Sequence, residues 1–271
     1  MRENPLRRRA RAVWISDLHL GTRACRADFL LEFLRCVETD RLYLVGDILD
    51  MWRLKSGWHW PQSHNDVVDE LISLARRGTR VIYVPGNHDE GFRRHDGLHF
   101  GGIEVRRDVV HTLSDGRRLL VFHGDELDFV VREHPWLAHL GDHVYDFLVF
   151  ANRAVNWCRT RLGLGYWSLS GYLKDKTKNA VQVIGNFEQA VAAYVRSRGC
   201  DGAVCGHIHK AEIRLIDGVL YCNDGDWVES CTALVEQRSG KLELIDWPSL
   251  RGAPQLDPAA APVAEPEPAA V

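Results

Sequence analysis

The chain predicts an α/β fold, and three observations carry that prediction. Short apolar runs alternate with segments of helical spacing. The first run, helix and second run form a β-α-β unit, which requires a right-handed crossover between neighbouring parallel strands. Five of the apolar runs end in a motif of aspartate, asparagine or histidine. In open α/β sheets the carboxyl ends of strands are where ligands bind.

Taken in order, residues 1–9 form a polar arm. Five arginines stand against one glutamate in residues 1–11, which suits either a solvated tail or attraction to anionic lipid. Arg11–Ser16 reads as a strand and delivers Asp17-Leu18-His19. Arg26 to Glu38 has helical spacing, with Phe29, Leu30, Phe33, Leu34 and Val37 on one stripe. Leu42 to Val45 reads as a buried strand that Gly46 breaks, leaving Asp47 at its end. Asp50 to Pro61 is expected to be a loop, with Trp52 folded back on the core and Trp58 and Trp60 left open. Asn65 to Arg77 reads as a helix with an N-cap, stopped by Gly78. Arg80–Val84 delivers Gly86-Asn87-His88-Asp89.

Ile103–His111 and Arg117–Phe122 read as two strands, the second delivering His123-Gly124-Asp125. Gly202–Cys205 delivers Gly206-His207-Ile208-His209. Ile213–Ile216 and Val219–Tyr221 flank Asp217-Gly218, a hairpin signal. Cys231–Val235 and Lys241–Ile245 close the fold as strands. Between His123 and Gly202 the pattern is mostly helical, with Leu137, Leu140, Val144, Phe147 and Ala151 at helix spacing. Residues 151–186 carry six Lys and Arg against one acidic residue. This segment, about 126–186, reads as an inserted cap. It is either a helical subdomain with its own small core or a lid with a cationic rim. The domain proper spans 10–250, and the Ala- and Pro-rich residues 251–271 read as a disordered tail.

Bulk properties narrow the function. With 271 residues the chain can bury a sizeable core. A net charge of −3 argues against a whole-molecule polyanion binder, so no nucleic-acid partner is expected, and no obligate protein partner is inferred. The seven cysteines are odd in number and lack a C-x-x-C pair, which favours buried free thiols in a reducing compartment. Only Ala12 to Ile15 follows the basic start before Ser16-Asp17, too short for a signal-peptide core. A cytoplasmic protein is expected, with a membrane surface as a partner still open.

The ligand types suggest two divalent ions. Two ions close together need a shared ligand; a carboxylate can bridge and an imidazole cannot. Asp47 is therefore the bridging candidate. Asp17, His19 and His209 would complete one ion's shell, and Asn87, His123 and His207 the other's. Mixed oxygen and imidazole ligands without thiolate suit Mn²⁺, Fe²⁺ or Zn²⁺ better than Ca²⁺. His88 follows a ligand and should face the phosphoryl group, stabilising charge or protonating the leaving oxygen. Asp89 or Asp50 would orient imidazoles. The remaining histidines, His59, His64, His95, His99, His111, His134, His139 and His143, read as surface or core polar groups.

These motifs, D-x-H, G-D-x-x-D, G-N-H-D, H-G-D and G-H-x-H in order, resemble the calcineurin-like metallophosphoesterases over about residues 11–246. The resemblance implies a four-layer α/β/β/α sandwich with ligands on loops at strand ends. Ser16-Asp17-Leu18-His19-Leu20-Gly21, Gly46 to Trp52 and the helical insertion look like the LpxH-type UDP-2,3-diacylglucosamine pyrophosphatases. That narrower likeness implies cleavage of UDP-2,3-diacylglucosamine to lipid X and UMP in lipid A biosynthesis, typically with Mn²⁺. It also implies a lid over the acyl chains and a peripheral position on the inner membrane. Lys174, Lys176 and Lys178 are candidates to meet the headgroup. The chain differs at His88, where those enzymes usually carry arginine.

Overall fold

The computed structural model describes residues 9–127 and 178–251, with side chains from residue 184 onward in the second segment. Lys174, Lys176, the Lys178 side chain, Cys158 and most of the expected cap, arm and tail lie outside the described residues.

Two sheets form the middle of the molecule. The first has seven strands in the order β12-β11-β1-β2-β3-β5-β4. Its centre is parallel: β1 (Ala10–Ile15), β2 (Thr39–Val45), β3 (Arg80–Val84) and β5 (Ile103–Val105). The short β4 (His99–Phe100) and the pair β11 (Thr232–Glu236) and β12 (Leu242–Asp246) add antiparallel margins. The second sheet has five strands in the order β6-β7-β8-β10-β9. They are β6 (Val109–Thr112), β7 (Arg118–Val121), β8 (Gly202–Cys205), β9 (Glu212–Ile216) and β10 (Val219–Asn223).

Alternation along the strands explains the layers. Ala12, Trp14, Tyr43, Val45, Ile82 and Val84 face Leu119, Val121, Val204, Leu220 and Cys222 across the inter-sheet core. Intervening residues such as Val13, Ile15, Leu42 and Leu44 pack outward against α1 (Ala27–Cys36) and α3 (Gln62–Arg76). Those helices bury Leu30, Phe33 and Leu34, and Val67, Leu71 and Leu74, at the three- and four-residue spacing of a single face. On the far side, Phe187, Val191 and Val195 of α4 (Lys178–Ser197) cover Leu120, Ala203, Cys205 and Tyr221. The result is the expected α/β/β/α order. A short α5 (Trp247–Arg251) closes the chain, with Trp247 against Phe33.

Several local expectations are corrected. Asp50 to Pro61 is not all loop: Met51–Ser56 forms α2, whose first turn is capped by Asp50 Oδ1 accepting from Arg53 N at 2.8 Å. The helix expected from Asn65 begins at Gln62 behind Pro61, without a side-chain cap. Ile103–His111 is two strands, β5 and β6, which belong to different sheets. Of the described cysteines, all free, Cys36 is exposed and the other five are buried. Trp52 does not fold into the core. It is 48% exposed, and its ring lies 4.1 Å from that of His88.

Inside the sandwich one polar cluster spans the sheets. His111 on β6 lies edge-on to Trp14, and its Nδ1 is 2.9 Å from Tyr43 Oη. Its Nε2 is 2.8 Å from Glu236 Oε2. The other Glu236 oxygen accepts from Ser114 N at 2.9 Å and lies 3.3 Å from Arg11 Nε.

Candidate metal centre

All five motif loops gather at one end of the sandwich, held together by backbone hydrogen bonds that run past the strand ends. Asp17 N donates to Gly46 O at 3.0 Å and His19 N to Asp47 O at 2.9 Å. Trp227 N donates to Asp17 O and Gly206 N to His123 O, both at 3.1 Å.

The side chains converge in three overlapping trios whose ligand atoms lie within 4.8 Å of one another: Asp17, His19 and His209; Asp17, Asp47 and His123; and His19, Asp47 and His88. Asp17, His19 and Asp47 each belong to two of the trios. Asp17 Oδ1 lies 3.0 Å from His209 Nε2, and Asp47 Oδ2 lies 3.4 Å from His123 Nε2. Asn87 Oδ1 is buried beside them without a hydrogen-bond partner. The His207 ring lies 5.2 Å from that of His123 but joins no trio, and its backbone N donates to Asp17 Oδ2 at 3.0 Å. His88, expected to follow a ligand without being one, sits in ligand range of Asp47 and His19.

The backbone is strained where these side chains leave it. Seven described non-glycine residues have φ in the left-handed region. Five of them are Asp17 (53°), His19 (50°), Asp47 (51°), His207 (67°) and His209 (53°). Such conformations cost about 1–3 kcal/mol each and persist only where the surroundings over-determine them. Two glycines create the space. A Cβ at Gly46 would lie 2.2 Å from His123 Nδ1, and one at Gly86 would lie 2.3 Å from Asp47 Oδ1.

Asp50, not Asp89, orients the imidazoles. Asp50 Oδ2 stands 3.1 Å from His19 Nδ1 and 3.0 Å from His88 Nδ1. Burial resists ionisation of Asp50, but the hydrogen bond from His19 and the charge of the neighbouring His88 imidazole outweigh it and hold the carboxyl well below its usual range. Asp89 instead clamps loop backbone, accepting from Gly86 N at 2.6 Å, Ile48 N at 2.7 Å and Leu49 N at 3.2 Å. His123 Nδ1 lies 2.9 Å from Val45 O, which turns Nε2 toward Asp47. Burial opposes protonation of His19 and His123. Asp50 and Asp47 outweigh it at His19, raising its pKa to about 9, and Asp47 outweighs it at His123, whose pKa is also raised. Burial likewise opposes ionisation of Asp47, yet His123 and His19 pull its pKa well below the ordinary value.

This donor set fits divalent metal. Buried oxygen and imidazole donors face one space, and both Asn87 Oδ1 and His123 Nε2 are buried without hydrogen bonds. Beside it opens a cavity of about 550 Å³, lined by Trp52, Lys55, His88, Phe92, Arg93 and Arg94 among others. Asp50 was one of the two orienters expected from sequence; its hold on two imidazoles together, and Trp52 as the wall of His88, were not. The D-x-x-D spacing pointed to Asp50; nothing local signalled the place of Trp52.

Comparison with known proteins agrees. The profile of the family described as "Calcineurin-like phosphoesterase" matches residues 10–211. The chain is 28% identical over 268 residues to the UDP-2,3-diacylglucosamine hydrolase of Aeromonas salmonicida, covering 89% of this chain and 96% of that one. It is 27% identical over 221 residues to the enzyme of the same name from Neisseria meningitidis serogroup B, covering 80% and 89%. Among solved structures, Vacuolar Protein Sorting 29 from Cryptosporidium parvum aligns with a TM-score of 0.42 at 15% identity, covering 86% of this chain and 94% of that one. With the family profile spanning well over half of its length, the chain belongs to the calcineurin-like phosphoesterases and is a metal-dependent phosphoesterase.

Proposed function

We propose that this protein cleaves the pyrophosphate bond of UDP-2,3-diacylglucosamine, giving lipid X and UMP in lipid A biosynthesis. The observation that carries the reading is the set of three overlapping ligand trios, two of which share Asp47. The two relatives named for that substrate support its identity.

Asp17, His19, Asp47 and His209 would hold one ion, and Asp47, Asn87, His123 and His207 the other, with Mn²⁺ the proposed metal. When bound, the ions supply Lewis acidity and acidify the attacking water. The chain's own residues do the rest. Asp50 takes Nδ1 of His88 and Trp52 covers its ring, so Nε2 is the atom left to meet a phosphoryl or leaving oxygen. Lys55 and Arg94 make the adjoining cavity cationic, which suits an anionic substrate. Lys174, Lys176 and Lys178 are proposed to meet the headgroup from the lid. Deleting residues 137–172 should spare turnover of a small chromogenic phosphodiester and abolish that of the lipid. Among the described residues no helix is long and apolar enough to cross a membrane. A peripheral position on the cytoplasmic side of the inner membrane is the proposed setting.

His88 favours a second reading, another lipid or nucleotide phosphoester. An imidazole cannot copy the bidentate phosphate contact of the arginine usual in these pyrophosphatases. The test is to incubate Mn²⁺-loaded protein with UDP-2,3-diacylglucosamine in detergent micelles and follow both products by mass spectrometry, with Asp47→Ala as control. Release of UMP and lipid X by wild type alone supports the first reading. No release, with turnover of a generic phosphodiester intact, assigns the second.

A further inference from the structure

Behind Asp17 lies a second carboxyl that the chemistry above does not use. Ser16 Oγ stands 2.5 Å from Asp17 Oδ2, 2.7 Å from Asp224 Oδ1 and 3.0 Å from Gly225 O. All three side chains are fully buried. The backbone packs closely at this point: a Cβ on Gly206 would come within 2.4 Å of both Asp17 Oδ2 and Ser16 Oγ.

A proton count follows. The Ser16 hydroxyl has one hydrogen, and the Gly225 carbonyl has none to give. If both aspartates were ionised, Ser16 could satisfy only one of them. The other would face a bare hydroxyl oxygen at hydrogen-bond distance in a buried, low-dielectric place, which is strongly unfavourable. One carboxyl must therefore bring its own proton. The surrounding donors identify which. Asp17 Oδ2 also receives His207 N at 3.0 Å, and Asp17 Oδ1 lies 3.0 Å from His209 Nε2. Asp17 Oδ1 and Asp224 Oδ2 are both buried without a hydrogen bond, but Asp17 has the His207 N–H and the His209 imidazole beside it. The ion belongs at Asp17 and the neutral acid at Asp224. Burial acts in the same direction, pushing the Asp224 carboxyl well above its usual range.

We propose that Asp224 is held as a neutral carboxylic acid that donates to Ser16, whose hydroxyl donates to Asp17. Asp224 and Ser16 are positioning residues. They fix the orientation of the Asp17 carboxylate and leave Oδ1 to face the ligand cluster. The metal arm of the test rests on Asp17 being a ligand; the proton arm does not.

Infrared difference spectra of the metal-free protein at neutral pH, wild type minus Asp224→Asn, test the proton directly. Subtraction is needed because burial also pushes Asp89 up. The expected result is one neutral-carboxyl carbonyl band lost in the variant. Chelator competition tests positioning. Asp224→Asn, whose amide still donates to Ser16, should retain Mn²⁺ within about threefold of wild type. Asp224→Leu and Ser16→Ala should weaken it roughly tenfold or more. Should Asp224→Leu not fold, Ser16→Ala carries this arm. Absence of the band overturns the proposal, as does equal metal loss in Asp224→Asn and Asp224→Leu. Wild type that binds no metal would sink the ligand reading while leaving the band to decide the proton.

Discussion

Around His111, a buried imidazole meets a buried carboxylate with every side-chain polar atom of His111, Tyr43 and Glu236 partnered. Around Asp47, buried imidazoles meet buried carboxylates with Asn87 Oδ1 and His123 Nε2 left without partners. None of the His111 group has φ in the left-handed region, whereas five of the candidate ligands do. Folding alone satisfies those three side chains. The second cluster is assembled against local preference and keeps donors in reserve. That difference separates a polar core that holds two sheets together from one kept for chemistry.

The largest effect should come from the reserved donors. Asp47→Ala should cut turnover of a phosphodiester by roughly a thousandfold or more and remove bound metal, read by elemental mass spectrometry. Its metal-free form should denature no earlier than metal-free wild type, since a strained, charged residue is gone. A markedly less stable apo-variant would erase the contrast. His88→Ala should lose about 10²–10⁴ in rate while retaining its metals.

The finished cluster should respond the other way. Glu236→Gln breaks a buried pair and should lower stability by about 3–5 kcal/mol in urea, with metal content unchanged. It should also remove an acid-sensitive contribution. Burial raises the Glu236 pKa, but His111 and Ser114 N outweigh it and lower the net value. Its stabilisation is thus present above the unfolded carboxyl value near 4.5 and is lost as pH falls through the folded one. An unchanged acid limb in Glu236→Gln would contradict this assignment.

Asp50→Asn sits between the two regimes. It should cost about 10–100-fold in activity or metal affinity and little stability. The smallest effect concerns His64, whose Nδ1 accepts from Gly21 N at 3.1 Å. Burial, with help from His59, lowers its pKa to about 4. The unfolded chain binds the proton first, so stability falls as pH drops from about 6.5 toward 4. Discounted for solvent screening, His64→Asn should flatten that slope by about 1–2 kcal/mol.

The legible part of the fold is the part that local pattern controls. Gly202–Cys205 and Arg80–Val84 are strands as their β-branched and apolar runs predict. All five motif loops lie at strand ends, because the break after each apolar run is itself a sequence feature. Ile103–His111 failed because Arg106 to Asp108 carry no glycine or proline to mark the passage from one sheet to the other. Trp52 failed because hydrophobicity says that an indole seeks cover without saying that the cover is a histidine. Pro61 opens α3 without the side-chain cap that would advertise it. The joint grip of Asp50 on two imidazoles, and the meeting of Ser16 with Asp224, depend on contacts between distant parts of the chain.

His207 N reaches Asp17 across 190 positions of sequence, from the second sheet to the first. Contacts of that span form late, because the chain must close a long loop before they repay it. A cation that needs both loops cannot nucleate this molecule; it can only recognise one whose sheets have already docked. Metal uptake would then lag behind collapse, and once bound it would act as a latch against the two sheets separating.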